Sequence, residues 1–79
     1  MSPTVFRIGP YRFFFNSREE TRKHVHVATA AGMAKFWLEP VVALGSYHNL
    51  SPRDLRDVDL LVREHEDELR SAWDRHFST

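Results

Sequence analysis

No cysteine occurs among the 79 residues of this chain, which excludes disulfides and every cysteine-ligated zinc or iron–sulfur centre. That usage is the one expected of a cytoplasmic protein. Glycine is down to three residues, and neither a Gly-rich phosphate loop, a nucleophile elbow nor an ordered Ser–His–Asp set can be drawn from the sequence. No apolar run approaches the ~20 residues that span a bilayer. The N-terminal aromatics are broken by Arg7 and Arg12 and lack a signal-peptide core, so no membrane association is expected.

Apolar residues make up 42% of the chain, aromatics 13%, enough for one small core and one domain. A net charge of zero conceals an uneven distribution. Residues 1–38 carry six cations against two acids, a net +4, and residues 39–79 carry five against nine, a net −4. A basic half rich in aromatics suits an anionic ligand such as RNA.

Thr4–Ile8 and Tyr11–Phe15 are aromatic, β-branched runs separated by Gly9-Pro10, and read as a hairpin. Asn16–Lys23 is polar, without apolar periodicity, and reads as a mobile loop. His24–Ala28 and Met33–Glu39 form the next strand pair, and Val41–His48 a weaker fifth, edge strand. Ser51 then caps a helix with Pro52 at its first position and Asp54 completing a capping box, while Leu50 and Leu55 form a staple. Leu55, Val58, Val62, Leu69, Ala72 and Trp73 fall on one helical stripe. The spacing predicts a single helix over 51–77, its helical part from Pro52 to Phe77 about 39 Å long. The predicted fold is therefore α+β, a four- or five-stranded mostly antiparallel sheet over 4–48 with one long C-terminal helix on one face.

Alternation on the strands sorts their side chains into two faces. Phe6, Ile8, Phe13, Phe15, Val25, Val27, Phe36 and Leu38 form an apolar face for the helix to cover. Val5, Arg7, Arg12, Phe14, His24, His26, Lys35 and Trp37 form the other, which nothing in the chain is expected to cover. Its cations suit phosphate and its aromatics can stack bases. The same surface would also serve a second copy or another protein, because Trp and Arg favour such contacts.

His24 and His26 are the candidates for general acid–base chemistry. Histidine beside cations can cleave RNA through its own 2′-hydroxyl without a metal. A metal site ranks lower, since it would need His48 or Glu39 as further ligands and the surrounding Arg and Lys oppose a dication. A protonation-dependent anion clamp without turnover is the third reading, and plain packing of the pair at the sheet surface the fourth. No cofactor is expected. Phosphate and base contacts are expected from Arg7, Arg12, Arg22, Lys23, Lys35 and Trp37. His65 and His76 lie within the helical stripe and read as core-edge residues.

Several segments together carry a family resemblance: Pro3–Gly9, Tyr11-Arg12-Phe13-Phe14-Phe15, His24-Val25-His26-Val27, Ala34–Val41, and Leu61-Val62 with Glu64, Glu68, Leu69, Ala72 and Trp73. In combination the chain resembles, from about residue 3 to residue 77, the small bacterial family known as domain of unknown function 4160. Members commonly have prolines just before the His-x-His pair, where this chain has Arg22 and Lys23, adding positive charge there. The resemblance implies a component of compact bacterial operons, of a group suspected as toxins in toxin–antitoxin pairs, with a small antitoxin-like protein as partner. The expected function is thus a toxin-like module of a toxin–antitoxin pair that binds RNA, with metal-independent cleavage as a candidate activity. The alternative is a non-catalytic adaptor or homodimer using the same face.

Overall fold

The computed structural model describes residues 4–16 and 22–77, so 17–21 of the expected Asn16–Lys23 loop lie outside the described residues. Five strands, β1 (Thr4–Ile8), β2 (Tyr11–Phe14), β3 (His24–Ala28), β4 (Met33–Trp37) and β5 (Ala43–His48), form one antiparallel sheet in the order β1-β2-β3-β4-β5. Gly9 makes the first turn with a φ of 56°, a conformation that costs glycine little. The fifth strand is present, and its register with β4 shifts between Lys35↔Ser46 and Phe36↔Leu44. Gly45 is thereby the extra residue of a bulge.

The apolar face is buried much as alternation requires. Phe13, Phe15, Val25, Val27, Phe36 and Leu38 are all buried, with Phe6 and Ile8 packed against them. Phe15 and Leu38 lie just beyond the ends of β2 and β4 yet remain in the core.

The predicted single helix is two helices, α1 (Pro52–Glu64) and α2 (Glu66–Phe77). Ser51 starts the first: its Oγ accepts from Asp54 N–H at 3.0 Å and its carbonyl from Leu55 N–H at 2.9 Å. His65 separates the two, at φ −111° and ψ 18°. Its ring Nδ1 lies 2.9 Å from the Leu61 carbonyl, which also accepts the His65 backbone N–H at 3.1 Å. Side chain and backbone thus share one acceptor, and the ring packs on Phe6 with centroids 5.2 Å apart. Val58 and Val62 of α1, and Leu69, Ala72 and Trp73 of α2, still share the core, so the apolar stripe runs through the break unchanged.

Tyr11 ties β2 to α1. It is buried, and its hydroxyl faces Asp54 Oδ1 at 3.4 Å and Asp57 Oδ2 at 3.5 Å. Burial first, then the two carboxylate charges, raise its pKa above the ordinary 10.0. The unfolded chain ionises this phenol earlier, so the stability owed to the neutral form is complete below about pH 10 and is lost as pH rises toward the folded pKa. Urea unfolding at stepped alkaline pH should show the wild type losing stability relative to Tyr11→Phe. Parallel pH profiles for the two proteins would contradict this.

Gly32 sits in the β3–β4 turn, where a Cβ would press on the backbone carbonyls of His48 and Asn49. Backbone cannot rotate away as a side chain can. Gly32→Ala is therefore expected to cost about 1–3 kcal/mol, read from denaturant midpoints. An unchanged midpoint would mean that the end of β5 yields freely.

Candidate functional site

The helices pack on the apolar face, α2 reaching round the sheet end to His24 through Trp73, and no described element covers the rest of the other face. On that uncovered face the register sets Phe14 (β2), His26 (β3), Lys35 (β4) and Ser46 (β5) in one row across the sheet. A second row holds Arg7, Arg12, Ala28, Met33 and His48, and a third His24, Trp37 and Ala43. The five strands contain no Asp or Glu, and among the described acids all but Glu39 lie on α1 and α2.

Cations lie over rings. The Arg12 guanidinium is 4.5 Å from the Phe14 centroid, and its Nε donates to Thr4 Oγ1 at 2.8 Å. Arg22 and the Lys35 ammonium both lie over Trp37, at 4.1 Å and 4.3 Å. Arg22 Nε also donates to the Glu39 carbonyl at 3.0 Å. Arg7 is exposed opposite Arg12. Arg7, Arg12, Arg22, Lys35 and Trp37 therefore share one surface.

Lys23 departs from that surface. Its ammonium pairs with Asp74 on α2 at 2.7 Å, in a clasp where Leu38 N–H donates to the Lys23 carbonyl at 2.9 Å. Arg70 closes the clasp, its Nε donating to the Leu38 carbonyl at 2.8 Å.

The histidines of the His-x-His pair occupy different environments. His24, expected on a solvated face, is only 3% exposed. Trp73 comes round the end of the sheet to within 5.0 Å of its ring, and Trp37 stands edge-on at 5.8 Å. His24 Nδ1 lies 2.8 Å from the Arg22 carbonyl. A carbonyl only accepts, so the proton sits on Nδ1. His26 is half-buried and held on two sides, stacked on Phe14 at 5.2 Å and 21° and edge-on to His24 at 5.2 Å.

His26, Met33, Lys35, Ser46 and His48 line a shallow hollow of about 260 Å³. Of the two β5 residues, Ser46 was not among the sequence-derived candidates, and His48 entered only as a further ligand of the lower-ranked metal site. Gly45 was the available signal, since a glycine inside a strand pattern marks a bulge, and beyond it Ser46 and His48 share the Lys35 face. No group of three or more His, Asp or Glu among the described residues is placed to hold a metal ion. No helix among them is long and apolar enough to cross a membrane.

Comparison with known proteins places the chain without assigning it an activity. Neither the curated proteins nor the solved structures gave a match. A family model does match, from Tyr11 at the start of β2 to Asp74, the residue that anchors Lys23. That span takes in the His-x-His pair, the Lys35–Trp37 strand, the β5 hollow and the Trp73 cover, leaving only β1 and the chain ends outside. Over residues 11–74, then, the chain belongs to the family described as a domain of unknown function, DUF4160.

Proposed function

We propose that the uncovered sheet face binds RNA, and that the protein acts as the toxin-like member of a toxin–antitoxin pair. One observation carries the binding reading: a face built from strands without acids, on which Arg12, Arg22 and Lys35 lie over Phe14 and Trp37. Cations contribute affinity through counterion release, and aromatic faces accept any base. An α+β sheet whose solvent side carries cations and a part-exposed aromatic, Trp37, is the kind of platform on which single strands are bound. The toxin assignment rests on the family's suspected association with such pairs and on this basic surface together.

Titration of a fluorescein-labelled single-stranded RNA, followed by anisotropy, tests the binding. Saturable binding that weakens in Arg12→Gln/Lys35→Gln is expected, and absence of binding at low salt would refute it. Induced expression in a bacterial host tests the biological half. Arrest by the wild type, relieved in the double variant at equal expression, supports it, and normal growth with both removes the toxin reading. A second occupant, another copy or an adaptor's target, is favoured by Trp37 and Arg22, residue types that anchor protein interfaces. Sedimentation of the free chain as a monomer at high concentration would set the second copy aside.

A further inference from the structure

His26 and His48 stand on either side of Lys35, on β3 and β5 with β4 between them, around the same hollow. Two strand spacings plus one same-face step put their Cα atoms roughly 12 Å apart. Imidazoles at that separation, both lining the hollow, leave room for a phosphodiester between them. The hollow, about 260 Å³, has the volume of roughly nine waters, which suits one sugar–phosphate unit rather than a folded nucleic acid.

Resting on the RNA-binding reading above, we infer that His26 and His48, with Lys35 between them, form an acid–base pair that cleaves single-stranded RNA by transphosphorylation. The neutral imidazole of the pair removes the proton of a ribose 2′-hydroxyl. The 2′-oxygen bonds to the adjacent phosphorus as the bond from phosphorus to the 5′-oxygen breaks. The protonated imidazole gives its proton to that departing oxygen. The products are a 2′,3′-cyclic phosphate and a 5′-hydroxyl end, with no water, metal or oxidant consumed. Lys35 faces the non-bridging oxygens, where negative charge accumulates. Imidazole is the side chain able to serve in both protonation states near neutral pH.

The geometry also separates the roles of the His-x-His pair. His24 is buried with Nδ1 committed to the Arg22 carbonyl, and its ring edge abuts His26. It is a positioning residue, fixing the His26 ring against Phe14. His48 is exposed, at the end of β5, where a substitution leaves the core untouched.

The test uses the full chain, a chelator, a labelled single-stranded oligoribonucleotide and its 2′-deoxy counterpart. Anisotropy and cleavage are read in parallel. The wild type is expected to cleave only the ribose form and to leave a cyclic phosphate end. His26→Ala and His48→Ala should each lower cleavage by about 10²-fold or more, with RNA affinity within about threefold and an unchanged circular dichroism spectrum. His48→Gln, which keeps a polar side chain, should fail equally. RNA that binds but stays intact overturns this inference alone, and RNA that does not bind overturns the underlying reading with it. Cleavage of the 2′-deoxy strand overturns the mechanism. Wild-type rates in His48→Ala remove His48 from it.

Discussion

Trp73→Ala is expected to lower the unfolding free energy by about 3–5 kcal/mol, the cost typical of emptying a large aromatic site. Trp73 is buried where the sheet end meets α2, with Phe15 edge-on at 5.4 Å, Phe77 at 4.1 Å and His24 at 5.0 Å. Truncation leaves three rings without a shared neighbour and opens His24 to water. A domain of this length has only about 4–12 kcal/mol of total stability, so the loss is a large share of it. The melting temperature should drop by upward of about 12 °C, followed by circular dichroism. Trp73→Phe, which keeps a ring in place, should recover part of the loss. A melting temperature within about 4 °C of wild type in the alanine variant would mean that α2 is held chiefly by its polar clasp to Leu38 and Lys23.

The second large effect is on the salt dependence of RNA binding. Four cations, Arg7, Arg12, Arg22 and Lys35, lie on the open face. If each neutralises one phosphate of a single strand, the slope of log affinity against log salt is about −2.8. Raising salt fourfold then weakens binding by about fiftyfold. Arg12→Gln/Lys35→Gln should halve the slope to about −1.4 and reduce that loss to about sevenfold. Lys23→Gln is the control, because the Lys23 ammonium is engaged by Asp74 at 2.7 Å on the helical side. An equal slope in the wild type and the double variant would separate RNA binding from this face. A reduced slope in Lys23→Gln would show that the pair with Asp74 opens to RNA.

The contrast between Lys23 and its neighbours illustrates which information the sequence held. Alternation alone assigned Phe13, Val25, Val27, Phe36 and Leu38 to the core, because each strand obeys a period of two independently of its partners. The Ser51 cap was equally local, a hydroxyl followed at the right spacing by Asp54 N–H. The burial of His24 depends instead on Trp73 arriving from the far end of the chain, and no local pattern encodes that meeting. The interruption at His65 was hidden for a related reason. The apolar stripe continues across it, and the deviation arises from one ring competing for the Leu61 carbonyl while packing on Phe6. The candidate site was legible in its charges and rings but not in its far wall, since Ser46 and His48 join it only through the Gly45 bulge.

Eight acids against five arginines on the helices, and Arg7, Arg12 and Lys35 without acids on the strands, make the described part of this neutral chain an electric dipole, its positive pole on the bare side of the sheet. A polyanion therefore exerts a torque on it before any contact forms, turning the sheet forward and the helices away. Zero net charge removes the long-range monopole pull, so this alignment acts only within a Debye length, about 8 Å at physiological ionic strength. Such a molecule does not gather indiscriminately around nucleic acid. It is oriented in the last few ångströms of approach, and two copies meeting in solution are drawn front to back rather than face to face.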